Sequence, residues 1–150
     1  MQTTLNTIRE QYYRVSEPVV NLSFLAQAAA RCYTAWVFFA SGRTKLRDWE
    51  TTLFLFEYEY SVPVLSPELA AYLATIGEIV LPILLVAGLA SRVSAAGLSI
   101  INVVAVLSLE DIPAAALYLH YIWGILLAQI VVWGGGVLSL DRWFNRRREF

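Results

Sequence analysis

The chain has 150 residues, of which 58% are hydrophobic and 15% are charged, with a net charge of -1 and a mean hydropathy of +0.57. This composition lies outside the usual range of soluble domains and indicates a membrane protein. A basic surface stripe is missing and the Arg-rich cluster sits at the extreme C-terminus, which argues against nucleic acid as a partner. Cys32 is the single cysteine, so an internal disulfide and any CxxC zinc or redox motif are excluded.

Four long apolar segments follow a polar N-terminal tail of residues 1–21, and each comes close to the roughly 20 residues that a membrane-spanning helix needs. They cover residues 22–40, 67–90, 93–109 and 113–137, and a basic tail of residues 141–150 ends the chain. The second segment opens at "SPEL", in which Ser66 can cap the helix and Pro67 can begin it. Short turns force neighbouring helices to run antiparallel. The sequence therefore predicts an all-α membrane protein, in which residues 22–140 form a four-transmembrane-helix antiparallel bundle.

The stretch between the first two spans, "WETTLFLFEYEYSVPVL", is too short and too charged to cross a membrane. Trp49, Leu53, Phe56 and Tyr60 recur at helical spacing, but alternate residues from Phe54 to Tyr60 are also aromatic, as in a strand. We favour a short interfacial helix, because aromatic side chains interspersed with Glu suit the lipid headgroup layer.

The orientation of the chain follows from its basic residues, because Lys and Arg are retained on the cytoplasmic side. With the N-terminus inside, the cytoplasmic flanks carry Arg9, Arg14, Arg92, Arg142, Arg146, Arg147 and Arg148, and the outer flanks carry Arg43, Lys45 and Arg47. The larger number on the first side predicts that both termini are cytoplasmic.

Two opposite charges lie near the middle of predicted spans, Arg31 in the first and Glu78 in the second. Each charge alone would cost at least ~2.5 kcal/mol at the centre of a membrane, so we expect the two side chains to form a buried ion pair. Pro82, one turn after Glu78, can kink the helix and open space beside the carboxylate. Such a pair is either a lock on helix register or part of a proton or ligand site, and the residues leave both interpretations open.

Further polar groups lie at membrane depth in the third and fourth spans. His120 and Trp123 share one face of the fourth span, which indicates either a Trp-lined pocket or plain packing. A lone His without an HxxH or HxxxH partner gives no support to a metal site. The candidate intramembrane site consists of Arg31, Glu78, Asn102, His120 and Trp123, with no metal predicted and no catalytic residue assigned.

Together these residues resemble the DoxX family of small four-helix bacterial membrane proteins. The resemblance covers residues 24–144 and includes Arg31 in the first helix, Lys45 just past its predicted end, "GEIVLPILLVAGLASR" and "WGGGVLSLDRWF". The most specific positions are Glu78, Pro82, Arg92, Gly136, Ser139, Leu140 and Asp141. The segments "FEYEYSVPVLSPELAAYLAT" and "LHYIWG" are closer to the subgroup found beside DUF692-type peptide-modification and copper-stress genes.

The resemblance implies a location in the bacterial cytoplasmic (inner) membrane and an accessory role in a redox, quinone-linked or metal-stress system. Some members are linked to thiosulfate:quinone oxidoreductase or to thiol and oxidative-stress complexes. The sequence shows no redox centre, so a bound quinone or a redox partner protein would have to supply that chemistry. Whether the chain is itself an enzyme stays open.

Two other interpretations are kept. One is a non-catalytic membrane scaffold or small transport partner. The other is a proton-coupled carrier, which four helices without inverted repeats do not favour unless the chain forms a homo-oligomer. In all cases the lipid bilayer is the expected surrounding.

Overall fold

A computed structural model describes residues 2–146, and within that range the protein is helical with no strand. The helices are α1 (Gln2–Arg47), α2 (Trp49–Tyr58), α3 (Pro67–Ala87), α4 (Ser91–Ser108), α5 (Ala114–Trp133) and α6 (Leu140–Arg146). The predicted basic tail, residues 141–150, therefore begins inside α6, and its residues 147–150 lie outside the described residues.

Three of these helices, α3, α4 and α5, are long and apolar enough to cross a membrane by length and composition. They correspond to the second, third and fourth predicted spans. The first predicted span, residues 22–40, does not meet the same measure; its window contains Gln27 and Arg31. The helix itself is longer than this predicted span, because α1 continues without a break to Arg47.

Helix α1 continues past the predicted stop because its polar residues find partners within the helix and on α3. The Thr44 hydroxyl donates to the Ala40 carbonyl at 3.0 Å, and Lys45 donates to the Ser41 hydroxyl at 2.9 Å. Backbone hydrogen bonding is therefore not interrupted at Gly42, and the charged run that follows is helical.

The predicted start of α3 is confirmed. Ser66 has an extended backbone and its hydroxyl accepts from the Leu69 N–H at 3.4 Å, with Pro67 in the first helical position. The helix ends at Gly88, whose φ of 69° is a left-handed conformation that glycine adopts without strain. Pro82 is accommodated inside the helix.

The segment after α1 is a helix, as favoured, and not a strand. Asp48 caps α2 by accepting from the Thr51 N–H at 3.0 Å. Its Phe56 packs against Ala70 and Ala71 in the first turns of α3. Helix α2 therefore covers the N-terminal end of α3.

The long helices pack in the order α1, α3, α4 and α5, and α1 also contacts α5. The register of α1 on α3 follows from two close approaches: a Cβ on Gly42 would lie 2.9 Å from Glu78 Cβ, and one on Gly88 would lie 2.8 Å from the Arg31 guanidinium. The two helices therefore run antiparallel, with residue 42 level with residue 78 and residue 31 level with residue 88. Small residues at such contacts let helix backbones approach closely in membranes.

Apolar side chains fill the interior and also cover the outer faces. Leu85, Leu98 and Leu127 are fully buried where α3, α4 and α5 meet. Large apolar side chains such as Ile100 and Ile125 are about two-thirds exposed. Outward apolar faces of this kind are consistent with contact with a lipid bilayer.

Candidate functional site

Glu78 forms an ion pair with Lys45 near the middle of α3. The distance from Lys45 Nζ to Glu78 Oε2 is 2.6 Å, and the same ammonium donates to Ser41 Oγ at 2.9 Å. The side chain of Glu78 is 8% exposed and that of Lys45 is 19% exposed. Opposite charge and a second hydrogen bond compensate for removing both groups from water.

The prediction that Arg31 pairs with Glu78 is wrong. Arg31 lies level with Gly88 at the opposite end of α3, and its guanidinium donates to the carbonyls of Gly135 and Leu138 at 2.5 and 2.6 Å. The prediction placed both charges at the same depth because it assumed that α1 covers residues 22–40. The actual register puts Lys45 beside the carboxylate instead.

Arg31 belongs to a separate network that fixes the chain after α5. Asp141 accepts from the N–H groups of Ala90 and Ser91 at 2.7 and 2.8 Å, and so caps α4 from a distant part of the sequence. Its own N–H donates to the Gly88 carbonyl at 2.9 Å. The Gly-x-x-Ser-Leu-Asp sequence thus has a structural role, closing α3, α4 and α5 together.

The capping hydrogen bonds determine the ionisation of Asp141, which lies outside the membrane-spanning segments. Partial burial acts to raise the pKa of this carboxyl, but the hydrogen bonds from Ser91 and Ala90 and the positive charge of Arg31 outweigh burial. The pKa of Asp141 is therefore lowered, and the cap is anionic at neutral pH.

His120 is held in one orientation by Asn102 across the interface of α4 and α5. Asn102 Nδ2 donates to the His120 backbone carbonyl at 3.0 Å, and Asn102 Oδ1 lies 2.8 Å from His120 Nδ1. Because a carbonyl oxygen can only accept, the first bond fixes the amide, and the imidazole must donate from Nδ1. In the neutral ring, Nε2 is then left as a hydrogen-bond acceptor.

Trp123 packs beside this imidazole. Its ring meets His120 edge to face at 4.9 Å between centroids and contacts Phe38 at 6.1 Å. The indole N–H points to the Tyr33 hydroxyl of α1, 3.4 Å away. The predicted common face of His120 and Trp123 is therefore directed towards α1 and α4.

A cavity of about 530 Å³ brings several of these groups together. It is lined by Glu78, Lys45, Ser41, His120 and Trp123, and Asn102 bonds to the His120 imidazole. The remaining lining is mostly apolar and comes from α3, α4 and the segment from Phe56 to Leu65. Of the five predicted site residues, three line the cavity, Asn102 positions one of them, and Arg31 lies elsewhere.

Tyr60 lines the cavity from outside the membrane-spanning segments. Burial, followed by the negative charges of Glu78 and Glu59, raises the pKa of its hydroxyl. The phenol therefore stays protonated in the neutral range and can donate a hydrogen bond.

Lys45 is the functional residue that the sequence prediction missed as a partner of Glu78. A signal was present in the spacing: residues 31, 34, 35, 38 and 42, which the structure shows buried on one face of α1, recur at helical intervals, and Lys45 continues this spacing. Ser41 precedes it by four residues, which is the distance for a contact within a helix. Because the predicted first span ends at residue 40, it includes neither the spacing of Lys45 nor its contact with Ser41.

A metal centre finds no support in the part of the chain that the structure describes. Within residues 2–146, no group of three or more His, Cys, Asp or Glu side chains could hold a metal ion. The chemistry available at the cavity is instead hydrogen bonding and proton exchange through an ammonium, a carboxylate, an imidazole and a phenol.

Comparison with known proteins agrees with the resemblance seen in the sequence. No curated protein and no solved structure matches the chain. The similarity to the subgroup found beside DUF692-type genes stays a prediction. The sequence model of the DoxX family matches residues 26–111, which is more than half of the chain. This stretch contains α3, α4 and both partners of the Lys45–Glu78 ion pair, and the chain therefore belongs to the DoxX family.

Proposed function

We propose that this DoxX membrane protein binds a lipophilic quinone in the cavity and serves as an accessory component of a redox system in the bacterial inner membrane. The observation that carries the proposal is an ion pair with a buried carboxylate that borders a largely apolar cavity of about 530 Å³. This volume falls in the range of small-molecule sites, which combine apolar walls with a few placed polar groups.

The residues of the cavity fit the chemistry of a quinone. Its carbonyl oxygens accept hydrogen bonds, and Lys45 and the Tyr60 hydroxyl offer donors. Its flat ring can pack against Trp123, and the Nε2 acceptor of His120 suits the hydroxyl of the reduced form. Glu78 can exchange a proton with the bound head group. A quinone, when bound, would supply the two-electron chemistry, with electrons delivered by a partner protein.

We further propose that α1 is the fourth membrane-spanning helix, which would complete the antiparallel four-helix bundle and leave both termini cytoplasmic. The packing of α1 along α3 supports this arrangement. The distribution of charge supports it too, because Lys45 is largely buried against Glu78 of α3, which leaves Arg43 and Arg47 as the exposed basic residues near the α2 end. Helix α2 would then lie in the headgroup layer.

The test of quinone binding is direct extraction. Protein purified in mild detergent from its native membrane should release quinone into organic solvent in near-stoichiometric amount. Glu78→Gln and Lys45→Met should release at least about tenfold less, since hydrogen bonds to charged groups contribute about 1.5–3 kcal/mol. Glu68→Gln, in the exposed first turn of α3, is the matched control and should behave as wild type.

A non-catalytic scaffold is the second candidate, and one observation favours it. The ammonium of Lys45 already has two partners, Glu78 and Ser41, without any ligand. The pair could therefore serve only to hold α1 in register on α3. Absence of quinone from wild-type extracts, together with an intact cellular phenotype in a stable variant lacking both charges, would support the scaffold against the quinone site.

A further inference from the structure

The sides of the cavity differ in how closely they are packed, and this difference indicates how a ligand reaches the cavity. Helices α3 and α4 are in close contact at two glycines: a Cβ on Gly77 would lie 2.5 Å from Ile101 Cδ1, and one on Gly97 would lie 2.7 Å from Leu81 Cδ1. Cavity residues such as Ala74 and Val104 lie on the α2 side of this crossing. The crossing therefore forms the floor of the cavity.

The segment after α1 forms a roof over the same space. Helix α2 and the loop that follows line the cavity with Phe56, Tyr60, Val62 and Leu65. The Ser61 N–H donates to the carbonyl of Ser108 at 2.9 Å, which ties this loop to the end of α4. Helix α2 and this loop thus close the cavity at that end of the protein.

The gap between α3 and α4 forms the remaining side. Leu73 of α3 and Ile100 of α4 both line the cavity, yet they are 51% and 66% exposed on the outer surface. Side chains that face both the cavity and the surrounding lipid mark an opening in the wall. The polar groups Lys45, Glu78 and His120 lie on the inner side.

We propose that the cavity opens sideways into the bilayer between Leu73 and Ile100, and that its ligand is a membrane-dissolved molecule with an acceptor-bearing head and an aliphatic tail. The head lies at Lys45, and the tail leaves through the gap between α3 and α4 into the acyl chains. This inference rests on the proposed function and adds to it the class of ligand and its route of entry.

The experiment uses two benzoquinones with the same ring, tailless ubiquinone-0 and decylubiquinone, in equilibrium binding to protein in phosphatidylcholine nanodiscs. Leu73→Trp and Ile100→Trp fill the opening. Their controls are Ile76→Trp and Val103→Trp, on the same helices, exposed to a similar degree and outside the cavity lining. The first two variants should bind decylubiquinone at least about tenfold more weakly and ubiquinone-0 within about twofold of wild type, because only the tail competes with the indole.

The possible failures are distinguishable. If wild type binds neither quinone, the proposed function and the sideways opening both fail. If wild type binds both but the Trp variants match their controls, or lose both quinones equally, only the opening fails.

A second measurement needs no variant. Decylubiquinone with a photoreactive group at the end of its tail should label wild-type peptides around Leu73 and Ile100. Labelling of the outer face of α5, around Ile125, in place of these peptides would overturn the proposal.

Discussion

At the scale of single residues, Lys45 explains how a carboxylate is held inside an apolar segment. A double-mutant cycle tests this pairing. Glu78→Leu should cost on the order of 3 kcal/mol of stability in detergent, because it leaves a largely buried ammonium without its counter-charge. Combining Lys45→Met with Glu78→Leu should recover much of the loss. Thermal or denaturant unfolding of the wild type, the singles and the double gives the coupling, and a coupling near zero would refute the pair.

The same cycle on Arg31 is the matched control. Arg31→Met removes the donors to Gly135 and Leu138 and should destabilise the protein on its own. Because Arg31 shares no hydrogen-bond partner with Glu78 in the described structure, the two effects should add within about 0.5 kcal/mol. Strong coupling between them would restore the rejected pairing.

The residue types of the site could be predicted from the sequence, but their partners could not. A carboxylate and an imidazole at membrane depth are exceptional on energetic grounds alone, and Glu78 and His120 do line one cavity, together with Trp123. Partner choice depends on helix register, and Lys45 lies about four turns after Arg31 on α1. Hydropathy, which averages over a window, cannot fix that register.

At the scale of helices, Gly42 sets the distance between α1 and α3. An added Cβ would meet the Glu78 backbone carbon at 3.1 Å, and a backbone atom cannot move aside cheaply. Gly42→Ala should therefore push the helices apart and destabilise the protein by about 1–3 kcal/mol despite the better helix propensity of Ala. Gly124→Ala, whose Cβ would meet Asn102 Nδ2 at 3.4 Å, is the control. Equal unfolding midpoints for the two variants would contradict this account.

Helix α4 depends on a cap from outside its own sequence, since Ala90 offers no capping side chain. Asp141→Ala should cost about 1 kcal/mol at neutral pH. Because the pKa of Asp141 is lowered on folding, its stabilisation is full above the unfolded value of about 3.9 and is lost as the pH falls through the folded pKa.

The pH dependence provides the measurement for this cap. The difference in unfolding free energy between wild type and Asp141→Ala should be constant above about pH 5 and shrink below about pH 4. Asp111→Ala, in the exposed turn after α4, is the control. A difference that persists unchanged at pH 3 would show that the carboxylate charge is not what stabilises the helix start.

Some helix ends could be predicted from the sequence and others could not. Ser66 and Pro67 predict the start of α3, and the length and composition of three apolar segments predict α3, α4 and α5. The end of α1 was not predictable, because the polar and charged residues of "SGRTKLR" resemble the end of a helix. Only the structure shows that Lys45 bonds to Ser41 and to Glu78 of α3, so that the helix can continue. The distant cap by Asp141 had no local signal, since its partners are fifty residues away.

At the scale of the whole molecule, the number of membrane crossings decides the topology. Three crossings by α3, α4 and α5 would place the termini on opposite sides, and a fourth by α1 places them together. We expect a reporter that is active only in the cytoplasm to be active when fused before Met1 and also when fused after Phe150. Activity at one terminus alone, with normal expression of both fusions, would leave α1 outside the membrane.

The proposed quinone site requires that the Lys45–Glu78 pair border the head of the ligand. The most direct measurement is the equilibrium affinity of ubiquinone-0 for wild type and for the Lys45→Met, Glu78→Leu double variant in nanodiscs. Removing both charges keeps the helices folded while taking away the donor, so we predict stability near that of wild type and at least about tenfold weaker binding. A stable double variant that binds ubiquinone-0 as tightly as wild type would contradict the account.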